Sequence, residues 1–433
     1  MNANNIMTFS LFVIINVVLL SGLVSCNETE DILTVVRTPA EYEKQEALWF
    51  IWNPYDHKQG KSNSEVVSQL LKITLESQKV VLAVADSLVY KDALNYLSPD
   101  VRTHDHLHFA FIPSIQFWAR DMGPVFVMLE DGQLGVTDFE FNLWGYADSS
   151  DPDNLVEEAF DRKAAEYLGL PTVKSNIISE GGNREINSQG VLITVEKVEA
   201  ERNPTLTLTE LEEEYSRVLG IQKTIWLKEG LKEDEHTFLG PLETNEGFRA
   251  YTTVTTNGHI DEFARFVNDS TILLAQVDSL QLASNDPIAI ENHRRLEENH
   301  EILKKATDIN GNQFKIIRIP MPDPIFVDIG PGDEVYDYIK TLDYQSGIEF
   351  PAGQTIKVVA AASYLNFIIA NKVVLGQKYC RGDCSDRIKK QDLKAEQILQ
   401  DAFPNRKIYM MDALPINLGG GGIHCITIHQ PAI

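Results

Sequence analysis

Short apolar runs alternate with charged segments along the chain from Thr38 onward. The apolar runs are rich in Val, Ile, Phe and Tyr, which is typical of strands, whereas the longer charged stretches are typical of helices. We predict strands over 79–85, 108–113, 125–129, 136–142, 191–195, 224–227, 271–277, 314–320, 364–375, 407–411 and 425–429. We predict helices over 64–76, 155–168, 209–219, 290–308 and 391–402, and a capping box formed by Thr209 and Glu212.

The alternation of strands and helices continues without a linker rich in Pro, Gly or Ser. The length of 433 residues would allow two or three domains. Because nothing divides the body, the pattern favours one large α/β domain built from similar units. We predict that this domain covers residues 38–433.

The N-terminal segment has the pattern of a secretory signal. Residues 8–20 form an apolar run that is short for a membrane span, and Leu23-Val24-Ser25-Cys26 follows it. These four residues resemble the lipobox of bacterial lipoproteins, which implies cleavage before Cys26 and lipid attachment to that cysteine. We therefore predict a signal over 1–25, a tether over 26–37, and an exported protein anchored to a bacterial membrane, in the periplasm or at the cell surface.

The charge balance limits the classes of ligand. The chain has 38 Lys and Arg against 63 Asp and Glu, which gives a formal net charge of −25. Nucleic acid is excluded as a general partner because phosphate backbones are bound by clustered Lys and Arg. An acidic protein suits a cationic ligand better. The sequence contains no cofactor motif, and we predict neither a cofactor nor a metal.

The four cysteines fall into three groups. Cys26 is assigned to lipidation. Cys380 and Cys384 are close enough in sequence for a disulfide in an exported protein, although the tight loop makes the bond optional. Cys425 remains as an unpaired thiol, and an unpaired thiol in an exported protein calls for a functional reason.

Four glycine-containing segments carry the residues with candidate chemistry. Glycine allows a close approach between backbone and ligand, and a carboxylate beside it at a strand end favours a site. The segments are Trp118-Ala119-Arg120-Asp121-Met122-Gly123-Pro124, Glu180-Gly181-Gly182-Asn183, Gly258-His259-Ile260-Asp261 and Gly419-Gly420-Gly421-Gly422-Ile423-His424-Cys425. Together they offer one thiol, one imidazole and several carboxylates.

This set of groups indicates chemistry on a guanidinium. Acyl transfer uses Cys and His but does not require Asp121, Glu180 and Asp261 in one pocket. Carboxylates are natural bidentate partners of a guanidinium, whose planar donors match their geometry. A guanidinium clamped by carboxylates presents its central carbon to a thiolate, and a histidine can then protonate the departing ammonia.

The same segments resemble the agmatine deiminase and Porphyromonas-type peptidylarginine deiminase family of the guanidine-modifying superfamily. The resemblance rests on these residues and stretches: Pro39-Ala40-Glu41-Tyr42-Glu43, Trp49, Trp52, Trp118 to Pro124, Phe141-Asn142-Leu143-Trp144-Gly145, Glu180-Gly181-Gly182, Arg202-Asn203-Pro204, Gly258-His259-Ile260-Asp261, Tyr364-Leu365-Asn366-Phe367 and Gly420 to Pro431. It implies a pentein fold, in which five ββαβ-type units surround a pseudo-fivefold axis and the active site lies in the central channel.

The resemblance also implies roles for individual residues. Cys425 would be the nucleophile, and His259 would act first as general acid and then as general base. Asp121 and Asp261 would clamp the guanidinium, and Glu180 would orient either the substrate or His259. The substrate-binding residues would be Asn366, Trp118, Trp144, Gly421 and Gly422.

The substrate is predicted less directly. An enzyme that reads the carboxylate of a C-terminal peptidylarginine should present Arg or Lys, and the stretch 145–151 after Trp144 has neither. Agmatine, a dication without a carboxylate, suits this acidic stretch and would give N-carbamoylputrescine. Export, however, favours processing of peptides, so a peptidylarginine deiminase is the alternative. Two further alternatives are an amidinotransferase and a lipoprotein that captures guanidino compounds without turnover, although capture needs no thiol.

Overall fold

Strands and helices alternate through the computed structural model of the protein, which describes residues 33–53 and 62–433. The strands are β1 Val35–Arg37, β2 Gln45–Ile51, β3 Lys79–Val84, β4 Leu107–Phe111, β5 Val125–Leu129, β6 Leu134–Glu140, β7 Thr172–Ile178, β8 Glu185–Ile186, β9 Val191–Val195, β10 Lys223–Leu227, β11 Leu242–Glu243, β12 Arg249–Tyr251, β13 Ala264–Asn268, β14 Thr271–Gln276, β15 Lys315–Pro320, β16 Phe326–Ile329, β17 Ile356–Val359, β18 Ile368–Ile369, β19 Val373–Gln377, β20 Lys407–Met411 and β21 Ile428–Pro431.

The helices lie mainly between strands that become parallel neighbours. They are α1 Asn63–Leu75, α2 Ser87–Tyr96, α3 Pro99–Arg102, α4 Ala119–Met122, α5 Pro152–Glu158, α6 Phe160–Leu168, α7 Glu196–Arg202, α8 Leu208–Leu219, α9 Ser279–Ala283, α10 Pro287–Lys305, α11 Glu334–Ile339, α12 Asp386–Ala402 and α13 Leu414–Asn417. The predicted α/β class is therefore confirmed. Among the described residues, we find no helix with the length and apolar character needed to cross a membrane.

One strand arrangement recurs in the sheets. In β5-β6-β7, the first two strands are antiparallel, the last two are parallel, and α5 and α6 form the crossover. A parallel neighbour requires such a crossover, usually a helix. The same order of antiparallel and parallel pairing occurs in β8-β9-β10, β13-β14-β15, β18-β19-β20 and β21-β2-β3.

The remaining strands extend these sheets or form another one. Strand β4 continues β3 in parallel, and β11-β12-β17-β16 forms a separate sheet. Strand β1 pairs with the edge of β5, so Val35–Arg37 belongs to the folded body and not to the predicted tether. The predicted signal over 1–25 and the lipidation site at Cys26 lie outside the described residues.

A buried apolar core holds the sheets that carry the glycine-containing segments. Helix α1 packs on β3, and α10 packs on β14. Central strand residues such as Trp49, Phe50 and Leu273 are essentially inaccessible to solvent. Burial of apolar surface at this scale is the main favourable contribution to folding, and it fixes the strand ends from which the site segments extend.

The structure corrects several predicted elements. The predicted helix 155–168 is two helices that meet at Ala159, whose ψ of −3° departs from the usual helical value of about −42°. The predicted strand 364–375 is broken, since Arg265 takes the carbonyls of Leu365 and Phe367. The predicted strand 425–429 begins only at Ile428, after a turn closed by Thr427 on the carbonyl of His424.

The capping box of α8 also differs from the prediction. It is formed by Thr207 and Glu210, two residues before the predicted pair. Cys380 and Cys384 form a disulfide, which settles the choice that the sequence left open.

Candidate active site

Three predicted site residues converge on Gly182. A methyl group added at Gly182 would lie 2.5 Å from Nδ1 of His259 and 2.9 Å from Oδ1 of Asp121. It would also lie 3.3 Å from Oδ2 of Asp261. These side chains come from α4 and from the start of a 3₁₀ turn at Ile260–Glu262, and all three are buried. A glycine at position 182 is therefore what allows them to approach one another.

Asp121 is held by two hydrogen-bond donors. The indole Nε1 of Trp144 lies 2.8 Å from Oδ2, and the backbone N–H of Gly182 lies 2.7 Å from Oδ1. Burial raises the pKa of Asp121, and the nearby carboxylates of Asp261 and Glu180 add to this effect. The fixed donors orient the carboxylate toward the same space that His259 faces.

His259 lies between two carboxylates. Its Nε2 is 3.1 Å from Oε2 of Glu180, and its Nδ1 is 3.7 Å from Oδ1 of Asp121. Burial alone would lower the pKa of His259, but the charges of Asp121 and Glu180 outweigh it and raise the pKa to about 9. The imidazole therefore carries a proton at neutral pH, as a general acid requires.

Glu180 contacts the imidazole and a buried arginine. Nε of Arg202 lies 2.6 Å from Oε1 of Glu180. Burial would raise the pKa of Glu180, but Arg202 and His259 together lower it to about 2. A permanently ionised Glu180 orients His259 through Nε2, which favours the second of the two roles that the sequence left open. Arg202 was part of the family resemblance, but it was not predicted as a site residue.

The thiol of Cys425 lies beside Asp261. Sγ is 3.5 Å from Oδ2 of Asp261 and 3.1 Å from Nδ2 of Asn366. The backbone N–H of Gly422 lies 3.4 Å from Sγ. Burial raises the pKa of the thiol well above its usual value, and Asp261 and Glu262 raise it further. The unliganded protein thus holds Cys425 as a thiol, and a bound cation would favour the thiolate.

The glycine-rich segment 419–422 brings the backbone close to these groups. Gly420 has a φ of +111°, and a side chain there would meet the carbonyl of Thr253 at 2.1 Å. A methyl group at Gly421 would lie 3.0 Å from Sγ of Cys425 and 2.9 Å from the Trp118 ring. A methyl group at Gly422 would lie 2.3 Å from Oδ1 of Asn366. The predicted site residues Trp118, Asn366, Gly421 and Gly422 are therefore placed around the thiol.

Besides Arg202, two further residues of the site were not predicted from the sequence. Glu262 accepts a hydrogen bond of 2.9 Å from Asn366 and lies 3.8 Å from Sγ of Cys425. Burial raises its pKa well above the usual value, as does the charge of Asp261. His424 contacts Asp261 through Nδ1 at 2.7 Å. Glu262 follows Asp261 in the sequence, and His424 precedes Cys425. This adjacency to predicted site residues was the only feature of the sequence that could have pointed to them.

A cavity of about 350 Å³ lies beside this cluster and shares Trp118 and Trp144 with it. Among the described residues, its lining has several aromatic rings and two carboxylates but no Lys or Arg. The lining residues are Asn53, Ile115, Gln116, Phe117, Trp118, Leu143, Trp144, Asp153, Val254, Glu334, Val335, Tyr338 and Gly419. Trp118 and Trp144, which both lie near the buried polar groups, form its inner wall. A ligand in this cavity would lie between aromatic side chains.

Within residues 33–53 and 62–433, two clusters have the composition of a metal site. Glu41, His424 and His429 form one, and Asp261, Glu262 and Cys425 form the other. The first is already compensated by arginines, because Arg120 and Arg265 lie 2.7 and 2.6 Å from the oxygens of Glu41. Two guanidinium groups at the same carboxylate disfavour a further cation there. The absence of a metal stays a prediction.

Comparison with known proteins identifies the family. The family model for Porphyromonas-type peptidyl-arginine deiminase matches residues 37–239 and 244–431. The chain belongs to this family. The chain is also similar to a protein of Marinomonas sp. (strain MWYL1), with 30% identity over 406 residues that cover 91% of this chain and 94% of that protein. The family predicted from the sequence is thereby confirmed.

Two further proteins are similar to this chain over nearly its whole length. An agmatine deiminase of Medicago truncatula is 28% identical over 409 residues, which cover 91% of this chain and 96% of that protein. The solved structure of an agmatine deiminase from Enterococcus faecalis superposes with a TM-score of 0.71 at 24% identity, covering 93% of this chain and 96% of that chain. At this identity the structural likeness establishes the fold.

Proposed function

We propose that the protein is a guanidine deiminase that hydrolyses agmatine to N-carbamoylputrescine and ammonia. The observation that carries the proposal is the buried cluster in which Asp261 lies 3.5 Å from the Cys425 thiol and meets Asp121 and His259 around Gly182. A thiol, a protonated imidazole and two carboxylates are the groups that attack on a guanidinium requires. Similar proteins of the family that are named agmatine deiminases support the same activity.

The carboxylates supply a binding position for the guanidinium. Oδ1 of Asp261 is buried and has no hydrogen-bond partner among the described residues. An unpaired buried carboxylate oxygen is costly unless a ligand donates to it. A guanidinium N–H bonded to this oxygen, with a second N–H directed to Asp121, would satisfy both carboxylates. It would also place the guanidinium carbon beside Sγ of Cys425.

The reaction follows from this placement. The charge of the bound guanidinium lowers the pKa of the Cys425 thiol, which releases its proton to solvent, and the thiolate then forms a bond to the guanidinium carbon. The tetrahedral adduct collapses as His259 donates a proton to one nitrogen, and ammonia leaves. His259 next removes a proton from water, and the resulting hydroxide attacks the thiouronium carbon. As the C–S bond breaks, the proton of the new hydroxyl group passes to the departing sulfur, which releases the ureido product and restores the Cys425 thiol.

The cavity favours agmatine over a substrate that carries a carboxylate. Its lining includes the carboxylates of Asp153 and Glu334 and the aromatic rings of Trp118, Trp144 and Tyr338. An alkylammonium is stabilised by carboxylates and by aromatic faces, whereas an α-carboxylate would be repelled by the same groups. The second cationic group of agmatine fits this lining.

The test compares substrates and nucleophile variants. We expect purified wild-type protein to release ammonia from agmatine, with N-carbamoylputrescine as the co-product in mass spectrometry. Cys425→Ala should abolish release and Cys425→Ser should reduce it by at least about 1000-fold, because the nucleophile is lost or weakened. Ammonia release that survives Cys425→Ala would refute covalent catalysis by this thiol.

The same assay separates the alternative functions. Faster turnover of an arginine-terminated peptide than of agmatine would assign the protein as a peptidylarginine deiminase. A guanidino product that forms only when an amine acceptor is added would indicate amidinotransfer. Tight binding of agmatine without any product, in the presence or absence of amines, would indicate a capture protein.

We infer that the body has the pentein arrangement, with five similar units around a pseudo-fivefold axis. The recurrence of the β5-β6-β7 pairing in four other sheets supports this inference. The site segments come from four separate parts of the chain, as expected where several units meet at a centre. A crystal structure in which the five sheets do not surround the Cys425 site would contradict it.

We also propose that the protein is exported and anchored through lipid at Cys26. The lipobox-like Leu23-Val24-Ser25-Cys26 supports the anchor, and the Cys380–Cys384 disulfide supports an oxidising compartment. Incorporation of labelled palmitate into the protein expressed in a bacterium should be lost in Cys26→Ala. Equal labelling of the variant would contradict lipidation at this residue.

A further inference from the structure

His424 lies directly behind the Asp261 carboxylate. Its Nδ1 is 2.7 Å from Oδ2 of Asp261, the oxygen that also lies 3.5 Å from Sγ of Cys425. This contact fixes one oxygen of Asp261. The other, Oδ1, is left without a hydrogen-bond partner among the residues that the structure describes. By holding Oδ2, the imidazole leaves Oδ1 of Asp261 as the oxygen that is available to the substrate.

His424 also controls Asn366, the second residue beside the thiol. The backbone N–H of His424 donates to Oδ1 of Asn366 at 2.8 Å. An amide whose oxygen is engaged must point its NH₂ the other way. Nδ2 of Asn366 accordingly lies 3.2 Å from Oδ2 of Asp261 and 3.1 Å from Sγ of Cys425. One residue therefore orients two groups around the nucleophile.

The far side of the imidazole is anchored by a buried charge network. Nε2 of His424 lies 3.0 Å from each oxygen of Glu41. The same carboxylate is held by Arg120 at 2.7 Å and by Arg265 at 2.6 Å, with Nδ1 of His429 at 3.2 Å. Because Glu41 is tied on several sides, the imidazole cannot rotate without breaking both of its carboxylate contacts.

We propose that His424, supported by Glu41, is a positioning residue that sets the orientation of the Asp261 guanidinium clamp. This inference rests on the proposed deiminase function. His424 is not placed to touch the substrate, since Asp261 and Asn366 occupy the space between its ring and the thiol side of the site. Its effect on catalysis is exerted through Asp261 and Asn366.

The test uses amide side chains that replace one ring nitrogen at a time. The amide nitrogen of Asn reaches about the position of Nδ1, and that of Gln reaches about the position of Nε2. His424→Asn should therefore keep the donor to Asp261, whereas His424→Gln should lose it. His108→Gln, on an exposed position of β4, is the matched control. Thermal unfolding of each variant establishes that it is folded.

We expect His424→Gln to lower kcat/KM for agmatine about 100-fold, mainly through KM, because the clamp is displaced. His424→Asn should retain activity within about tenfold of wild type, and His108→Gln should match wild type. A structural role alone would not distinguish the two amides in this order. Equal loss in His424→Asn and His424→Gln, or no loss in either, would overturn the proposal while leaving the deiminase function intact.

A second measurement does not depend on turnover. Crystal structures of His424→Asn and His424→Gln should show Asp261 in its wild-type orientation in the first and rotated in the second. If the wild-type protein releases no ammonia from agmatine, the proposed function fails, and these structures still decide the positioning role. An unrotated Asp261 in His424→Gln would overturn it.

Discussion

The indole N–H of Trp144 donates a 2.8 Å hydrogen bond to Oδ2 of Asp121. Trp144 reaches this position with a φ of +57°, in the left-handed region, within a 3₁₀ turn at Leu143–Gly145. Such a conformation costs on the order of 1–3 kcal/mol for a non-glycine residue. The hydrogen bond to a buried carboxylate offsets part of this cost, and it stabilises the ionised form of Asp121 against burial.

Trp144→Phe should weaken the clamp without removing the aromatic wall. Loss of one hydrogen bond to a charged group corresponds to about 1.5–3 kcal/mol, so kcat/KM for agmatine should fall by at least about tenfold. The pKa of Asp121, already raised by burial, should rise further, and the acid limb of the pH profile should move to higher pH. Steady-state assays of ammonia release from about pH 5 to 10 measure both the fall in kcat/KM and the shift of the acid limb. The same profile gives the pH range over which the proposed general acid is active.

The control for this variant is Trp226→Phe, because Trp226 bonds Glu212 away from the site. Its kinetics should equal those of wild type. An acid limb that is identical in Trp144→Phe and wild type would contradict the role given to the indole N–H.

The alkaline limb should depend on Glu180. His259 has a pKa of about 9 because Asp121 and Glu180 overcome the lowering effect of burial. Above this pH His259 loses the proton that it donates to ammonia, so kcat should decline. Glu180→Gln removes one of the two charges, which lowers the pKa of His259 and moves the alkaline limb of kcat to lower pH.

Glu130→Gln, a change of the same type at an exposed position, serves as the comparison. Its pH profile should coincide with that of wild type. If Glu180→Gln keeps the wild-type alkaline limb, either His259 is not the general acid or Glu180 does not set its pKa. Titration of His259 by NMR in both proteins distinguishes these two explanations.

Gly182→Ala should disrupt the site while sparing the fold. The added methyl group would lie 2.5 Å from Nδ1 of His259 and 2.9 Å from Oδ1 of Asp121, distances that force one of them to move. Displacement of about 1 Å in a catalytic group costs on the order of 100-fold in rate, and we expect at least that loss of kcat/KM. Gly330→Ala is the matched control, since its nearest neighbour would be 3.6 Å away. Comparable activity in the two alanine variants would contradict the proposed geometry.

The disulfide should stabilise the fold without affecting catalysis. Cys380 and Cys384 close a loop with a sequence separation of 4. Loop-closure entropy for so short a loop corresponds to about 2 kcal/mol in the unfolding free energy. Urea unfolding of the Cys380→Ser/Cys384→Ser double variant should show this loss, while kcat/KM stays within about twofold of wild type. An unchanged free energy of unfolding would mean that the bond does not constrain the unfolded chain.

Much of the fold was predictable because local patterns already specify it. Strands β5, β9 and β20 match the predicted ranges, and most other predicted elements differ at their ends by a few residues. The break in the predicted strand 364–375 occurs where a distant residue competes for the backbone. Arg265 donates hydrogen bonds to the carbonyls of Leu365 and Phe367, and the residue pattern within 364–375 does not predict that contact.

The chemical groups of the site were also predictable, but their connections were not. Cys425, His259, Asp121 and Asp261 are read from glycine-containing segments, since those residue types together suit a guanidinium. Arg202 and His424 were missed as functional residues. Each acts on a partner far away in sequence, Arg202 on Glu180 and His424 on both Asp261 and Glu41.

The sequence by itself determined the α/β class, the family and the set of groups available for chemistry, because these follow from local periodicity and from short motifs. The tertiary structure decided which groups meet and in what protonation state. Burial would lower the pKa of His259, and it rises to about 9 only because folding places the imidazole between the carboxylates of Asp121 and Glu180. Charge interactions strengthen when water is excluded and distances shrink to a few ångströms, and both conditions arise only when separate segments of the chain pack together.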